Sequence, residues 1–118
     1  MTELILPHLA PIRFAKYVIS RDGDEAVVKN EFATIPSLGM LIEAAAQSSA
    51  ALANEDEKGK VGYLTSLKNI KLLTQPTSLE CEISVELTNR VNNIGYLSFE
   101  VNQSEVLIAS GVFIVVVV

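Results

Sequence analysis

The segment from Ser37 to about Asn54 constrains the fold of this chain more than any other part of the sequence. It runs for eighteen residues without proline and is rich in Ala, Leu and Met, so propensity and length together predict an α-helix. Ser37 follows Pro36 directly and is a suitable N-cap residue. The charged run NEDEKGK at 54–60 suits a solvated helix end and loop.

This helix has no broad polar face. Glu43, Gln47 and Ser48 are the polar residues in its interior. An amphipathic surface helix would carry a wide charged stripe, so we expect this one to be buried nearly all round.

Strand patterns lie on both sides of the helix. Two β-rich runs, Ile12 to Ser20 and Glu25 to Phe32, flank an Asp-Gly turn at 22–24 and predict a hairpin. Residues 61–73 are strand-like until TQPTS at 74–78 breaks the run. Residues 79–88 alternate strictly between apolar and polar side chains, which predicts a half-buried antiparallel strand.

Two further strands close the chain. Leu97, Phe99 and Val101 alternate with polar residues, NQS at 102–104 predicts a turn, and Glu105 to Val118 forms a long apolar strand. A run of four valines at an open sheet edge would promote aggregation, so we expect the last strand to be paired on both sides.

The predicted order is therefore β-β-α-β-β-β-β in a single domain, residues 1–118. One apolar helix among about six antiparallel strands requires a sheet that curls around it. The sequence thus predicts the α+β class, with a curved antiparallel sheet wrapped around one central helix.

Composition excludes several kinds of site. The formal net charge is −5 and there is no cluster of Lys or Arg, which argues against a nucleic-acid partner. Cys81 is the single cysteine and His8 the single histidine, so neither an internal disulfide nor a thiolate- or histidine-based metal site is expected.

The two ends of the sequence give no sign of a membrane segment. MTELILPHLAPI lacks a basic region and a long apolar stretch, so no signal peptide is expected. The apolar tail GVFIVVVV is far shorter than the ~18 residues of a membrane span. The sequence predicts a soluble cytoplasmic protein without a membrane partner.

Motifs along nearly the whole chain resemble the hotdog-fold β-hydroxyacyl-ACP dehydratases of fatty-acid synthesis. LPHLAPIRFAKYVIS at 6–20 is similar to the family's opening segment, approximately LPHRYPFLLVDRV. IEAAAQ at 42–47 resembles its central-helix motif IEAMAQ. LTSLKNIKLLTQPTSLECEISV at 64–85 resembles the stretch in which a strand leads through a proline turn into a long alternating strand.

The resemblance implies a hotdog fold that works as a dimer or larger assembly, with acyl-thioester tunnels at the subunit interface. It implies a 3-hydroxyacyl chain on acyl carrier protein as substrate, and no metal or redox cofactor. In the family, a histidine before the helix and a carboxylate on the helix, from opposite subunits, remove water across the α,β bond. Glu43 matches the carboxylate.

The loop before the helix departs from the family's pattern, which reads approximately GHFPGHPVMPG and begins with the catalytic histidine. Here NEFATIPSLG at 30–39 is shorter and contains no histidine. Dehydration needs one group to take the α-proton and another to protonate the leaving hydroxyl. Thr34 and Ser37 offer only hydroxyls, which are not bases unaided. Gly39 remains near the helix start, where free N–H groups could polarise a thioester carbonyl.

The candidate site residues have functional and structural interpretations. Glu43 is the candidate catalytic residue; alternatively it is a structural glutamate satisfied by Gln47, a backbone N–H or a partner subunit. Ser37, Gly39, Met40 and Gln47 are candidate substrate-binding residues. For Gln47 a buried network that orients the helix or a loop is favoured over catalysis, and Gly39 either admits a ligand or lets the loop pack. His8 is interpreted as a packed or capping residue, and Cys81 as an inert core thiol.

Three functions remain open. The first is a 3-hydroxyacyl dehydratase-like protein that acts on or binds acyl thioesters in fatty-acid or polyketide-type lipid metabolism. The second is an acyl thioesterase that uses Glu43. The third is an inactive acyl-binding protein, or the partner of an active paralogue in a heterodimer. The expected partners are a thioester of acyl carrier protein or coenzyme A, and a second subunit in a homodimer or larger homo-oligomer.

Overall fold

A computed structural model of the chain describes residues 2–3, 13–53 and 62–117. In these ranges one antiparallel sheet packs on one α-helix, so the predicted α+β class is confirmed. The elements are β1 (Thr2–Glu3), β2 (Ala15–Asp22), β3 (Glu25–Glu31), α1 (Leu38–Ser48) with a 3₁₀ turn (Ser49–Leu52), β4 (Gly62–Leu72), β5 (Glu80–Val91), β6 (Ile94–Gln103) and β7 (Val106–Val117).

The strands are arranged in the order β1-β2-β3-β5-β6-β7-β4, and every neighbouring pair is antiparallel. The predicted hairpin joins β2 to β3, with Gly23 at φ 62° in the turn. The apolar strand β7 lies between β6 and β4, which confirms the prediction that it is paired on both sides. The pattern gave no sign of the two-residue strand β1.

The core lies between α1 and the inner face of the sheet. The helix contacts every strand from β2 to β7, so the sheet wraps around it. The predicted alternation holds inside β5, where Cys81, Ile83 and Val85 are buried, but not at Leu79, which precedes the strand and is 46% exposed. Gly111 is required in β7, since a Cβ there would collide with the side chains of Ile70 and Phe99.

The helix begins where the sequence predicts. The Ser37 hydroxyl accepts the backbone N–H of Met40 at 3.2 Å and caps the first turn. Its end differs, because the α-helix stops at Ser48 and tightens into the 3₁₀ turn, short of Asn54. The hydroxyls of Ser48 and Ser49 donate to the carbonyls of Ala44 and Ala46, and such local bonds compete with further helix.

The expected burial nearly all round is wrong for the single chain. The sheet covers one side of α1, which we call the covered side: Leu41, Ala44, Ala45, Gln47 and Ser48. The other side is exposed at Gly39 and only half-buried elsewhere, and we call it the open side: Gly39, Ile42, Glu43 and Ala46. The described strands lie on one side of the helix, and on the other side Gly39 is exposed and Glu43 is half-buried.

The predicted turn at 102–104 is displaced. The strand β6 continues to Gln103, and Ser104 and Glu105 form the turn, both with positive φ (49° and 67°). Two-residue hairpin turns often need positive φ at both central residues, which glycine or asparagine normally supplies. Ser and Glu gave no such signal, and for this reason the sequence pattern misplaced the turn.

Candidate functional site

Glu43 lies on the open side of α1 and is half-buried. Its Oε1 atom accepts a hydrogen bond from Nε2 of Gln47 at 3.3 Å, one helical turn later. This geometry fits both interpretations of Glu43. The residue can be a structural glutamate that is hydrogen-bonded to Gln47, and it can be a catalytic carboxylate. A carboxylate that is held in place and partly exposed can still reach a bound molecule.

Gln47 connects this carboxylate to the start of β2. Its side chain is 2% exposed, and its Oε1 atom accepts the backbone N–H groups of Phe14 at 2.8 Å and Ala15 at 3.2 Å. The ring of Phe14 packs on that of Phe32 with centroids 5.0 Å apart, so the segment that carries these donors is fixed in the core. The network that orients a helix, predicted for Gln47, is present.

A second polar pair lies deeper, between α1 and β3. The amide of Asn30 donates to the Ser48 hydroxyl at 3.0 Å and to the Val28 carbonyl at 3.2 Å, and both polar residues are 0% exposed. The Oδ1 atom of Asn30 has no hydrogen-bond partner. Sequence reasoning missed Asn30, although its place in the inward register of Val28 and Phe32 was a usable signal.

Three of the predicted substrate-binding residues lie together at the start of the helix. Ser37 uses its hydroxyl for the cap, Gly39 is exposed, and Met40 is partly buried against the core. Among the described residues, a Cβ at Gly39 would meet only the Ser37 hydroxyl, at 3.9 Å, so the described part of the loop does not require this glycine for its packing. Gly39 is exposed and lies on the same side of the helix as Glu43.

The loop before the helix contributes no acid or base. Residues 32–37 read FATIPS, and within α1 Glu43 is the single ionisable residue. His8, the only histidine of the sequence, lies outside the described residues. The described part of the site thus supplies one carboxylate and one helix N-terminus.

Cys81 belongs to the core and not to this site. Burial, with a smaller contribution from Glu82, raises the pKa of its thiol to about 12. The thiol therefore stays protonated near neutral pH, and a protonated thiol is a poor nucleophile. Its interpretation as an inert core residue agrees with this environment.

Gln103 was also missed by sequence reasoning. Its side chain is buried; it accepts the N–H of Thr77 and donates to the carbonyls of Ser78 and Glu80, each at 3.0 Å. These bonds hold the loop between β4 and β5 against the end of β6. The residue positions a loop, and its place in the inward register of Phe99 and Val101 was a usable signal.

A groove of about 410 Å³ lies on the outer face of the sheet, on the side opposite to the helix. Its lining combines polar residues, among them Ser84, Ser98, Glu86 and Glu100, with Val85, Phe99 and Val112. None of the lining residues lies on α1, so this groove is separate from the site around Glu43.

In the described residues no group of three or more His, Cys, Asp or Glu side chains could hold a metal ion. Within the same ranges, no helix is long and apolar enough to cross a membrane.

Solved structures with the same architecture are numerous, although neither a family model nor a curated protein sequence matches the chain. The dehydratase heterocomplex ApeI:P from Xenorhabdus doucetiae matches with a TM-score of 0.73 and 16% identity, over 96% of this chain and 88% of that one. A hypothetical thioesterase with coenzyme A from Streptococcus pneumoniae TIGR4 gives 0.64 and 15%, over 86% and 84%. The Escherichia coli PaaI protein from the phenylacetic acid degradation operon gives 0.65 and 18%, over 86% and 78%.

The chain has the hotdog fold. Its antiparallel sheet with one helix matches these hotdog proteins at TM-scores of 0.64 to 0.73, and the fold expected from the resemblance is confirmed. Identities of this size show the fold alone, so the likeness does not distinguish a dehydratase from a thioesterase.

Proposed function

We propose that this protein is a dehydratase-type acyl-thioester subunit whose site is completed by a second hotdog subunit. The observation that carries the proposal is the position of Glu43: a half-buried carboxylate, held by Gln47, on the side of the central helix that the chain's own sheet does not cover. Glu43 is the single ionisable residue of this helix, and its carboxylate stands beside the apolar residues Ile42 and Ala46.

The helix start is proposed to bind the thioester carbonyl. The first N–H groups of a helix have no intrahelical acceptors, and the dipole makes this end positive. Gly39 leaves these groups accessible, while Ser37 and Met40 border the same space. A thioester carbonyl that points at the helix start would place its acyl chain along the open side, next to Glu43.

The chemistry proposed for Glu43 is protonation of the leaving hydroxyl. In a 3-hydroxyacyl thioester, loss of the α-proton and of the β-hydroxyl forms a carbon–carbon double bond and releases one water molecule. The carboxyl group would donate a proton to the hydroxyl as the carbon–oxygen bond breaks. A second group must accept the α-proton, and the described residues of the preceding loop offer none.

A second subunit is therefore proposed to supply that group. Among the described strands, β4 is hydrogen-bonded only to β7, and it exposes Tyr63 (55%) and Leu67 (44%). A free strand edge with exposed apolar side chains favours pairing with another chain. The structural likeness to the ApeI:P heterocomplex supports a partner that is a different hotdog subunit.

The thioester carrier is proposed to be acyl carrier protein or coenzyme A. The likeness to a thioesterase structure that contains coenzyme A supports a thioester ligand without deciding between the two. No cofactor is required by the proposed step, since acid–base groups suffice for loss of water.

The test is binding and turnover of thioesters by the purified protein, alone and co-expressed with a hotdog subunit that carries a histidine before its central helix. Alone, the protein should bind 3-hydroxybutyryl-coenzyme A or 3-hydroxyacyl-acyl carrier protein without forming the enoyl product. The co-expressed pair should form the enoyl thioester, as followed by mass spectrometry. Glu43→Gln should abolish this turnover.

Glu82→Gln is the matched control, since Glu82 is an exposed carboxylate on the outer face of β5. It should leave binding and turnover unchanged. A protein that binds no thioester, or a pair whose turnover is indifferent to Glu43→Gln, would contradict the proposal.

Thioester hydrolysis is the second candidate, and the single carboxylate favours it. One carboxylate to direct a water molecule and one helix N-terminus to stabilise the oxyanion are sufficient in principle. If the protein alone releases free acid from acyl-coenzyme A, and Glu43→Gln removes this activity, hydrolysis replaces dehydration as the function.

A further inference from the structure

Gln47 is placed between two groups with opposite hydrogen-bonding requirements. On one side it faces two donors, the backbone N–H groups of Phe14 and Ala15, at 2.8 and 3.2 Å. On the other side it faces an acceptor, Oε1 of Glu43, at 3.3 Å. The two donors lie 33 and 32 residues before Gln47 in the sequence, and both sides meet at its one buried amide.

The orientation of this amide is determined by those neighbours. Two N–H donors can be satisfied only by the carbonyl oxygen of the side chain, and the amide nitrogen must then point in the other direction, towards Glu43. Rotation of the amide by 180° would bring its NH₂ group against two N–H donors and its oxygen against a carboxylate oxygen. Both contacts would be repulsive in a buried place, so the donor that faces Glu43 is fixed.

We infer that Gln47 is a positioning residue, which holds the carboxylate of Glu43 in the orientation needed for the thioester and links that orientation to the first residues of β2. This rests on the function proposed for Glu43. In this role Gln47 acts through Glu43 and does not bind the substrate directly.

The described surroundings of α1 are mostly apolar. The elements packed against α1 present mostly apolar side chains to it, together with the neutral amide of Asn30 and the thiol of Cys81. The guanidinium of Arg13, next to Phe14, lies 3.4 Å from the carboxylate of Glu3 and donates to the Ala15 carbonyl. Arg13 thus helps to hold residues 13–15 in place, and the N–H groups of Phe14 and Ala15 in this segment orient the amide of Gln47.

The discriminating variant is Gln47→Glu. Its carboxylate can still accept the N–H groups of Phe14 and Ala15, but it can no longer donate to Glu43 unless it carries a proton. Near pH 5 the two carboxyl groups can share a proton and restore the bond, whereas near pH 8 they repel each other. We expect thioester binding about tenfold weaker than wild type near pH 8, and within about twofold near pH 5.

The exchange variant Glu43→Gln/Gln47→Glu controls for net charge and fold. It keeps a donor, an acceptor and the tie to β2, but it moves the carboxylate to position 47. It should remain folded at both pH values, with a lower melting temperature near pH 8 because position 47 is buried, and it should lose thioester binding at both pH values. A purely structural role for Gln47 would instead leave Gln47→Glu with wild-type binding at both pH values, and that result would overturn the inference.

A readout without any thioester separates this inference from the proposed function. In the wild type, the amide ¹⁵N chemical shifts of Phe14 and Ala15 should change with pH at the same midpoint as the side-chain carboxyl ¹³C shift of Glu43. The shared transition should vanish in Glu43→Gln and in Gln47→Met. The inference would be overturned if the amide shifts of Phe14 and Ala15 did not change at the midpoint of Glu43, or if they still did so in Gln47→Met. A wild-type protein that shows the shared midpoint but binds no thioester would refute only the proposed function.

Discussion

Gln47 and Ser48 are consecutive on the central helix, yet they belong to two different polar pairs. Ser48 bonds to Asn30, and both residues are completely buried. Gln47 bonds to Glu43, whose carboxylate is partly exposed on the open side. The inner pair consists of neutral groups, whereas the outer pair ends on an ionisable group at an accessible surface.

The difference shows how burial separates two uses of polar residues on one helix. A neutral pair can be enclosed in the core because its hydrogen bonds compensate for the lost water. A carboxylate enclosed in the same way would be costly, so it is found where solvent or a ligand can reach it. Substitutions of Asn30 should therefore affect stability and substitutions of Glu43 should affect binding, whereas Gln47, which is buried and bonds to Glu43, should affect both.

Asn30→Asp should have the largest effect on stability. It places a carboxylate in a fully buried position without a cation, and we expect a loss of about 3 kcal/mol or more in the free energy of unfolding at pH 7. Burial would raise the folded-state pKa of the new carboxyl above its unfolded value near 4. The folded state then binds more protons, so the loss grows as pH rises and recovers as pH falls towards about 4.

The measurement is urea unfolding at several pH values. Asn89→Asp is a suitable control, because Asn89 is exposed and its side-chain oxygen accepts the N–H of Arg90. The control should be near wild type at every pH, and an Asn30→Asp protein of equal stability would show that the inner pair is accessible to water.

Gln47→Leu should follow, with a loss of about 3 kcal/mol. The substitution leaves two buried N–H groups without their acceptor, and each unsatisfied group costs about 1–3 kcal/mol. Urea unfolding gives the change, and hydrogen exchange should show faster exchange of the Phe14 and Ala15 amides. A loss below about 1 kcal/mol would indicate that β2 finds other acceptors and that Gln47 does not hold it.

Gly39→Ala should stabilise the protein by up to about 1 kcal/mol, because alanine has the higher helix propensity and the added methyl group meets only the Ser37 hydroxyl. Gly111→Ala is the contrasting variant, since its methyl group would collide with Ile70 and Phe99 and should destabilise the core. Melting temperatures of the two variants should move in opposite directions. A lower melting temperature of the Gly39→Ala protein would show that other residues already pack against Gly39 on the open side.

Glu43→Gln should have the smallest effect on stability, within about 0.5 kcal/mol of wild type. The residue is half-buried, and the new amide can still accept the Nε2–H of Gln47. Its thioester binding should nevertheless be lost, which calorimetric titration can measure. A large loss of stability together with unchanged binding would reverse the comparison and make Glu43 a structural residue.

The sequence by itself determined the elements. Period-two alternation and turn residues located the strands, and an alanine-rich run without proline located the helix and its cap at Ser37, because these signals depend on residues close together in the chain. The resemblance at 42–47 directed attention to Glu43, and the confirmed hotdog fold shows that the order of elements was sufficient to predict the architecture.

Only the tertiary structure decided what the polar residues contact. Gln47 meets backbone donors 32 and 33 residues away, and Ser48 meets Asn30 across 18 residues. Such contacts depend on sheet register and on the rotation of the helix against the sheet, which no local pattern encodes. The same long-range packing of the described strands covers one side of the helix and leaves Glu43 half-buried on the other side.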